Sequence, residues 1–130
     1  MTAYLLDTHT ALWWAAGSPR LSRRAIDIIK DGNNSIWLSV VSVWEASIKS
    51  SLGKMSLPDE PGRFFQALAA RSSFSILPIQ LSHAAEVYKL PAVHKDPFDR
   101  LLASQSLTEG LILISDDSVF QSYPVAGLVS

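Results

Sequence analysis

At 130 residues the chain has the size of one ordinary domain, spanning 1–130, and can bury roughly two-thirds of the surface its unfolded form exposes. Hydrophobic residues make up 48% and charged residues 18%, which excludes a disordered chain, and a net charge of −1 excludes nucleic-acid binding through a whole-surface positive field. The lack of cysteine removes disulfides, thiolate nucleophiles and cysteine-rich zinc sites together, so any metal must sit on oxygen or imidazole.

In chain order, AYLLD is a short apolar run, followed by THTALWWAA, whose apolar spacing suits a helix ending near Gly17. Ser18-Pro19 or Ser22 would cap the next helix, RRAIDIIKDG, which again stops at a glycine. Arg20, Arg23 and Arg24 form a local basic group there, read as a solvated face. SIWLS is strand-like, and VSVWEASIKSSLG is helix-like to Gly53. KMSLPDEPG reads as a loop and RFFQALAARSS as a helix. FSILPI is the third strand candidate, SHAAEVYKL a helix with Ser82 as its cap, and PFDRLLASQSLTEG a helix closed by Gly110. LILIS is the fourth strand, DDSVFQSY a short helix, and PVAGLVS an edge strand. Apolar strands separated by helical segments describe βαβ crossovers, hence an α/β fold with a mostly parallel sheet covered by helices on both faces. The longest apolar runs fall far short of the ~20 residues needed to cross a bilayer, and the first residues lack the basic and apolar segments of a signal peptide. The chain is therefore expected to be soluble and cytoplasmic, without a membrane partner.

Overlaying the acids on these elements is informative. Asp7 ends the first strand and Asp117 lies just beyond the fourth, while Glu45 is one turn into the helix after SIWLS. In a parallel sheet these positions share the carboxyl edge, where open α/β sheets place ligands. Asp99 lies on a helix that precedes a strand, so LPAVHK is expected to be the loop that returns it to that edge. Clustered carboxylates repel one another by ~4 kcal/mol per pair at 4 Å and an effective dielectric of 20, which a hard divalent cation would offset. Capping accounts for some of the same residues: Asp7 and Asp117 suit helix N-caps, and Glu45 with Lys49 suits an exposed i, i+4 ion pair. Within HKDPFDRLLAS, Asp96 before Pro97 fits cap and first helical position. Asp99 is shorter than the usual capping-box glutamate, and is read as the chemical residue.

LLDTH, SVWEASIK, HKDPFDRLLASQSL and LILISDDSVF together resemble the four acidic blocks of PIN-domain nucleases, specifically the VapC-type toxins of toxin–antitoxin pairs. The resemblance covers essentially the whole chain. It implies a parallel sheet sandwiched by helices, and hydrolysis of RNA phosphodiesters with Mg2+ or Mn2+. It also implies frequent dimerisation and a small antitoxin that inserts a segment into the active groove. Carried over by motif, Asp7, Glu45, Asp99 and Asp117 would be the catalytic, metal-holding quartet. Asp116 competes for the fourth place, which the Ser-x-Asp pattern assigns to Asp117. Thr8 and Ser115 would orient carboxylates through their hydroxyls, and Arg100 and Lys49 would contact phosphate. His9 and His94 flank acid motifs without metal-ligand spacing and stay outside the expected metal shell. Trp13, Trp14, Trp37 and Trp44 are assigned to core or dimer-interface packing, as are Phe64, Phe65 and Leu68 to core or partner contact.

Two rivals remain at this level. A phospho-receiver domain needs an acid after the third strand and a lysine after the last, and FSILPIQLS and PVAGLVS supply neither. A PIN-like module that binds a partner without catalysis keeps every residue above, as does a PIN nuclease that processes RNA outside toxin–antitoxin systems.

Overall fold

A computed structural model of the chain describes residues 2–92 and 94–130. The short apolar runs form β1 (Ala3–Leu6), β2 (Ser35–Ser39), β3 (Ser75–Leu77), β4 (Ile112–Ile114) and β5 (Leu128–Val129). They join in one parallel sheet of order β3-β2-β1-β4-β5. Around it lie α1 (Thr8–Ala16), α2 (Arg23–Lys30), α3 (Val40–Ser51), α4 (Pro61–Ser72), α5 (Leu81–Glu86) and α6 (Pro97–Glu109), with 3-10 turns at Val87–Lys89 and Ser118–Ser122. Among the described residues no helix is long and apolar enough to cross a membrane.

The two-residue period of the strands sorts the core into two layers. Leu6 pairs with Leu38 and Ile114, and all three pack with Ala11, Ala25, Phe65 and Leu68 under α1, α2 and α4. One residue earlier, Leu5 pairs with Leu113 and faces the opposite side, against Leu101, Leu102 and Phe120. Each fully buried leucine stabilises the fold by roughly 1.5–3 kcal/mol relative to exposure. Both faces of the sheet are therefore covered, which makes three layers.

From β1 the chain moves outward to β2 and β3 on one side, then crosses to β4 and β5 on the other. The carboxyl ends of β1 and β4 thus flank a topological switch point, where a crevice opens between diverging crossovers. No special loop is required to bring Asp99 there, contrary to the sequence expectation. A crossover helix runs opposite to its strands, so the N-terminus of α6 meets the carboxyl edge as it feeds β4. The loop credited with that return includes Val93, which lies outside the described residues.

Several boundaries differ from the sequence reading for identifiable reasons. Ser82 lies inside α5; Gln80 caps it instead, its N–H donating to Nδ1 of His83 at 3.0 Å. The second helix ends at Lys30 with Asp31 as C-cap, ahead of Gly32. The fourth begins at Pro61, because proline's missing N–H costs nothing in a first turn. Gly17 and Gly110 do close α1 and α6 in the left-handed conformation. At Gly110, with φ 68° and open space around it, Gly110→Ala is expected to cost about 1 kcal/mol from backbone strain alone, measurable by denaturant unfolding.

Candidate active site

The switch point is built from backbone hydrogen bonds outward. Beyond β1, the Asp7 N–H and the Thr10 hydroxyl both donate to the carbonyl of Ile114, at 3.2 and 2.9 Å, tying the end of β1 to the end of β4. Asp7 caps α1, its Oδ1 accepting the Thr10 N–H at 2.7 Å, while the Ser115 hydroxyl donates to its Oδ2. Ser115 Oγ also accepts the Asp117 N–H at 3.0 Å, so one buried serine holds both acids in place. Asp117 in turn caps the turn at Ser118–Ser122 through the Val119 N–H at 3.1 Å.

Helix α3 starts where β2 ends, with Ser39 as its cap, and delivers Glu45 into the same crevice. Glu45 is only 4% exposed. Its Oε1 accepts the Thr8 hydroxyl at 2.6 Å, and its Oε2 pairs with the Lys49 ammonium at 2.5 Å. The Ser42 hydroxyl lies 3.0 Å from that of Thr8 and extends the same buried chain. At the start of α6, Asp96 Oδ1 accepts the N–H groups of Phe98 and Asp99 at 2.8 and 3.3 Å, the cap anticipated from Asp-Pro. Asp99 Oδ2 is then 3.1 Å from His94 Nε2.

The electrostatics report a crowd of like charges. Burial pushes the Asp99 carboxyl up to about 6, and the charges of Asp96, Asp117 and Glu45 push in the same direction, against the His94 hydrogen bond. Burial also raises Asp7, opposed chiefly by its bond from Ser115. Lys49 is held above the ordinary lysine range, mainly by its bond to Glu45, with Asp96 and Asp99 adding to it. A donor set of carboxylate oxygens, partly desolvated and mutually repelling, fits a hard divalent cation and gives no thiolate to a soft one. His94, Asp96 and Asp99 each place one donor atom within 4.8 Å of the others.

Other expected residues are placed differently. The Arg100 guanidinium donates to the carbonyls of Val87, Pro91 and His94 at 3.2, 2.8 and 3.3 Å, so it fastens the loop before α6 rather than standing free for phosphate. Asp116 is exposed and lines a small cavity with Arg20 and Ser130, apart from the groups that act on Asp99. Trp13 and Trp14 pack on the core, as does Trp37 on the opposite layer. Trp44 does not: it is 43% exposed, edge-on to Phe98 with centroids 4.7 Å apart. Phe65 and Leu68 are fully buried, whereas Phe64 lines an open cavity. Ser42 was not singled out by sequence reasoning, and His94 was named there but left outside the metal shell. No spacing marks them; the only signal for His94 was its nearness to the Asp-Pro-Phe-Asp stretch.

Comparison with known proteins identifies the family and the fold. The model of the PIN domain family matches residues 4–126. Ribonuclease VapC22 of Mycobacterium tuberculosis is 30% identical over 125 residues, which is 95% of this chain and 93% of that one. Among solved structures, VapBC2 from Rickettsia felis, bound to a DNA fragment from its promoter, aligns with a TM-score of 0.72 at 16% identity over 98% of each chain. DNA-bound VapBC from Salmonella typhimurium aligns at 0.69 and 18% identity, over 99% of this chain and 98% of that one. With a five-stranded parallel sheet flanked by helices and the family model covering nearly its full length, the chain belongs to the PIN domain family as a VapC-like member.

Proposed function

We propose that the chain is a metal-dependent endoribonuclease that hydrolyses RNA phosphodiester bonds, acting as the toxin of a VapBC-type pair. The reading is supported by Ser115 joining Asp7 to Asp117 at the switch point of the sheet, and by Asp99 opening α6 within reach of the charges of Asp117 and Glu45. Asp7, Asp99, Asp117 and Glu45 would hold a cation such as Mg2+ or Mn2+, which would supply charge neutralisation at the phosphate and a more acidic water. The remaining work belongs to the chain. Thr10 and Ser115 fix both oxygens of Asp7, so that carboxylate cannot swing away from the crevice. Thr8 and Lys49 do the same for Glu45. Lys49, a third exposed and facing Asp96 and Asp99 as well as Glu45, supplies a positive group at the rim for a phosphate of the incoming strand. Arg100 is left to position the loop.

An antitoxin partner is supported by this chain's structural neighbours, which were solved as VapBC complexes. An antitoxin of that kind is the expected inhibitor. A cavity of about 340 Å³ between α1, α4 and the loop before α4, lined by Leu12, Trp13, Met55, Leu57 and Phe64, offers apolar surface for such a segment. The stripe Trp44, Ile48 and Leu52 along α3 recurs every fourth residue and is exposed, which supports a homodimer across that helix.

The test is direct. Purified chain with a structured RNA and Mn2+ or Mg2+ should yield internal cleavage products, and a chelator should abolish them. Cleavage that persists undiminished in chelator would defeat the metal-dependent reading. No cleavage of any RNA, with both cations present, would favour a binding module that keeps the fold without the reaction.

A further inference from the structure

We infer that His94 is a cation ligand alongside Asp99, and that this nitrogen makes the site prefer Mn2+ over Mg2+. The inference rests on the proposed cation site and adds a residue outside the acidic quartet. Its basis is geometric. His94 Nε2 stands 3.1 Å from Asp99 Oδ2. Two neighbouring ligands on an octahedral cation with bonds of about 2.1 Å stand about 3.0 Å apart, so the pair already has the spacing of one edge of a coordination sphere. The Asp96 carboxylate lies within 4.8 Å of both donors but stays committed to the helix cap through its Oδ1, so it adds nearby negative charge without serving as a ligand.

The position of the imidazole is also enforced. His94 belongs to the loop before α6, and its own carbonyl is gripped by the guanidinium of Arg100, which simultaneously holds the carbonyls of Pro91 and Val87. Arg100 follows Asp99 directly in sequence, so the residue next to the carboxylate anchors the segment that carries its partner. A long side chain that makes three backbone hydrogen bonds has lost most of its rotamer freedom, and the loop shares that restraint. The ring is 38% exposed and the Asp99 side chain 19%, which leaves an approach from solvent. As a ligand the ring would present Nε2 without a proton, in the tautomer that carries its hydrogen on Nδ1.

The chemical consequence is selectivity. Mg2+ strongly favours oxygen and water, whereas affinity for a site that includes imidazole rises from Mn2+ along the first-row series. A shell made only of carboxylates and water discriminates weakly between the two. One nitrogen shifts the balance.

Calorimetric titration of the full chain with Mn2+ and with Mg2+ alone, and the same for His94→Ala and His94→Gln, tests this. The parent should bind Mn2+ at least about tenfold more tightly than Mg2+, and its bound Mn2+ should show nitrogen coupling in pulsed electron paramagnetic resonance. Both variants should lose that coupling and weaken Mn2+ about tenfold while Mg2+ changes little. Bound Mn2+ without nitrogen coupling in the parent, or equal losses for both cations in the variants, would overturn the assignment and leave His94 as a positioning residue for Asp99. Failure of the parent to bind either cation would overturn the cation reading itself, a different result from binding without nitrogen. Thermal unfolding of the variants in chelator should match the parent, since the ring is half-exposed; Gln keeps a hydrogen-bonding side chain should Ala loosen the loop.

Discussion

RNA cleavage by Asp7→Asn and by Asp99→Asn is expected to fall on the order of a thousandfold or more, with both variants folded. The effect is large because each change removes one negative charge and one strong oxygen donor from the centre of the crevice while leaving the surrounding geometry intact. Asparagine at position 7 still caps α1, since its carbonyl oxygen can take the Thr10 N–H, and the Ser115 hydroxyl can turn to accept from the new amide. At position 99 the amide oxygen can still accept from His94. Neither change opens a cavity. Asp96→Asn serves as the neighbouring control: asparagine is as good an N-cap as aspartate, and cleavage should stay within a few-fold of the parent. Parent-like turnover at position 7 or 99, with an unchanged melting temperature, would remove that carboxylate from the reaction.

The separation of Asp96 from Asp99 shows how much of this site was legible before any coordinates. The cap was readable because Asp-Pro at a helix start has one dominant physical use, and the cap bonds at Phe98 and Asp99 are those it implies. The placement of Asp7, Glu45 and Asp117 beyond the carboxyl ends of β1, β2 and β4 was readable because each lies just past a strand in a chain of alternating elements. What the sequence could not carry is whatever depends on loop conformation and strand order. The order β3-β2-β1-β4-β5 places the β1 and β4 ends side by side, and no local pattern encodes that adjacency. His94 meets Asp99 with its own carbonyl held by the Arg100 guanidinium, and the five positions from one to the other, interrupted by a proline, have no helical or strand period to reveal it. Trp44 fits an apolar helical pattern as well as Ala46 does. One faces solvent and the other is buried, and the difference lies in what packs opposite.

Metal-free protein is expected to lose stability as pH rises from about 4 to about 6, and Asp99→Asn is expected to remove most of that loss. The sign follows from Asp99, whose carboxyl is raised from 3.8 to about 6 in the folded chain. Between those values the folded state holds a proton that the unfolded state lacks, so unfolding releases a proton and stability falls with increasing pH. The contribution is fully present below about 4 and is gone above about 6. Asp7, raised by burial, acts in the same direction. A shift of about two units corresponds to about 3 kcal/mol at most; with part of the carboxylate in solvent the retained effect is about 1–2 kcal/mol, or roughly 5 °C in melting temperature. Thermal unfolding in chelator across that range, for parent and Asp99→Asn, measures it as a difference that cancels the other titrating groups. A parent-minus-variant difference that is flat with pH would show that burial and the neighbouring acids do not raise Asp99 in the folded chain. Cation binding should reverse the trend, because the ligand form of Asp99 is the ionised one: affinity should climb through about pH 6, and the added metal should stabilise most where the metal-free chain is weakest.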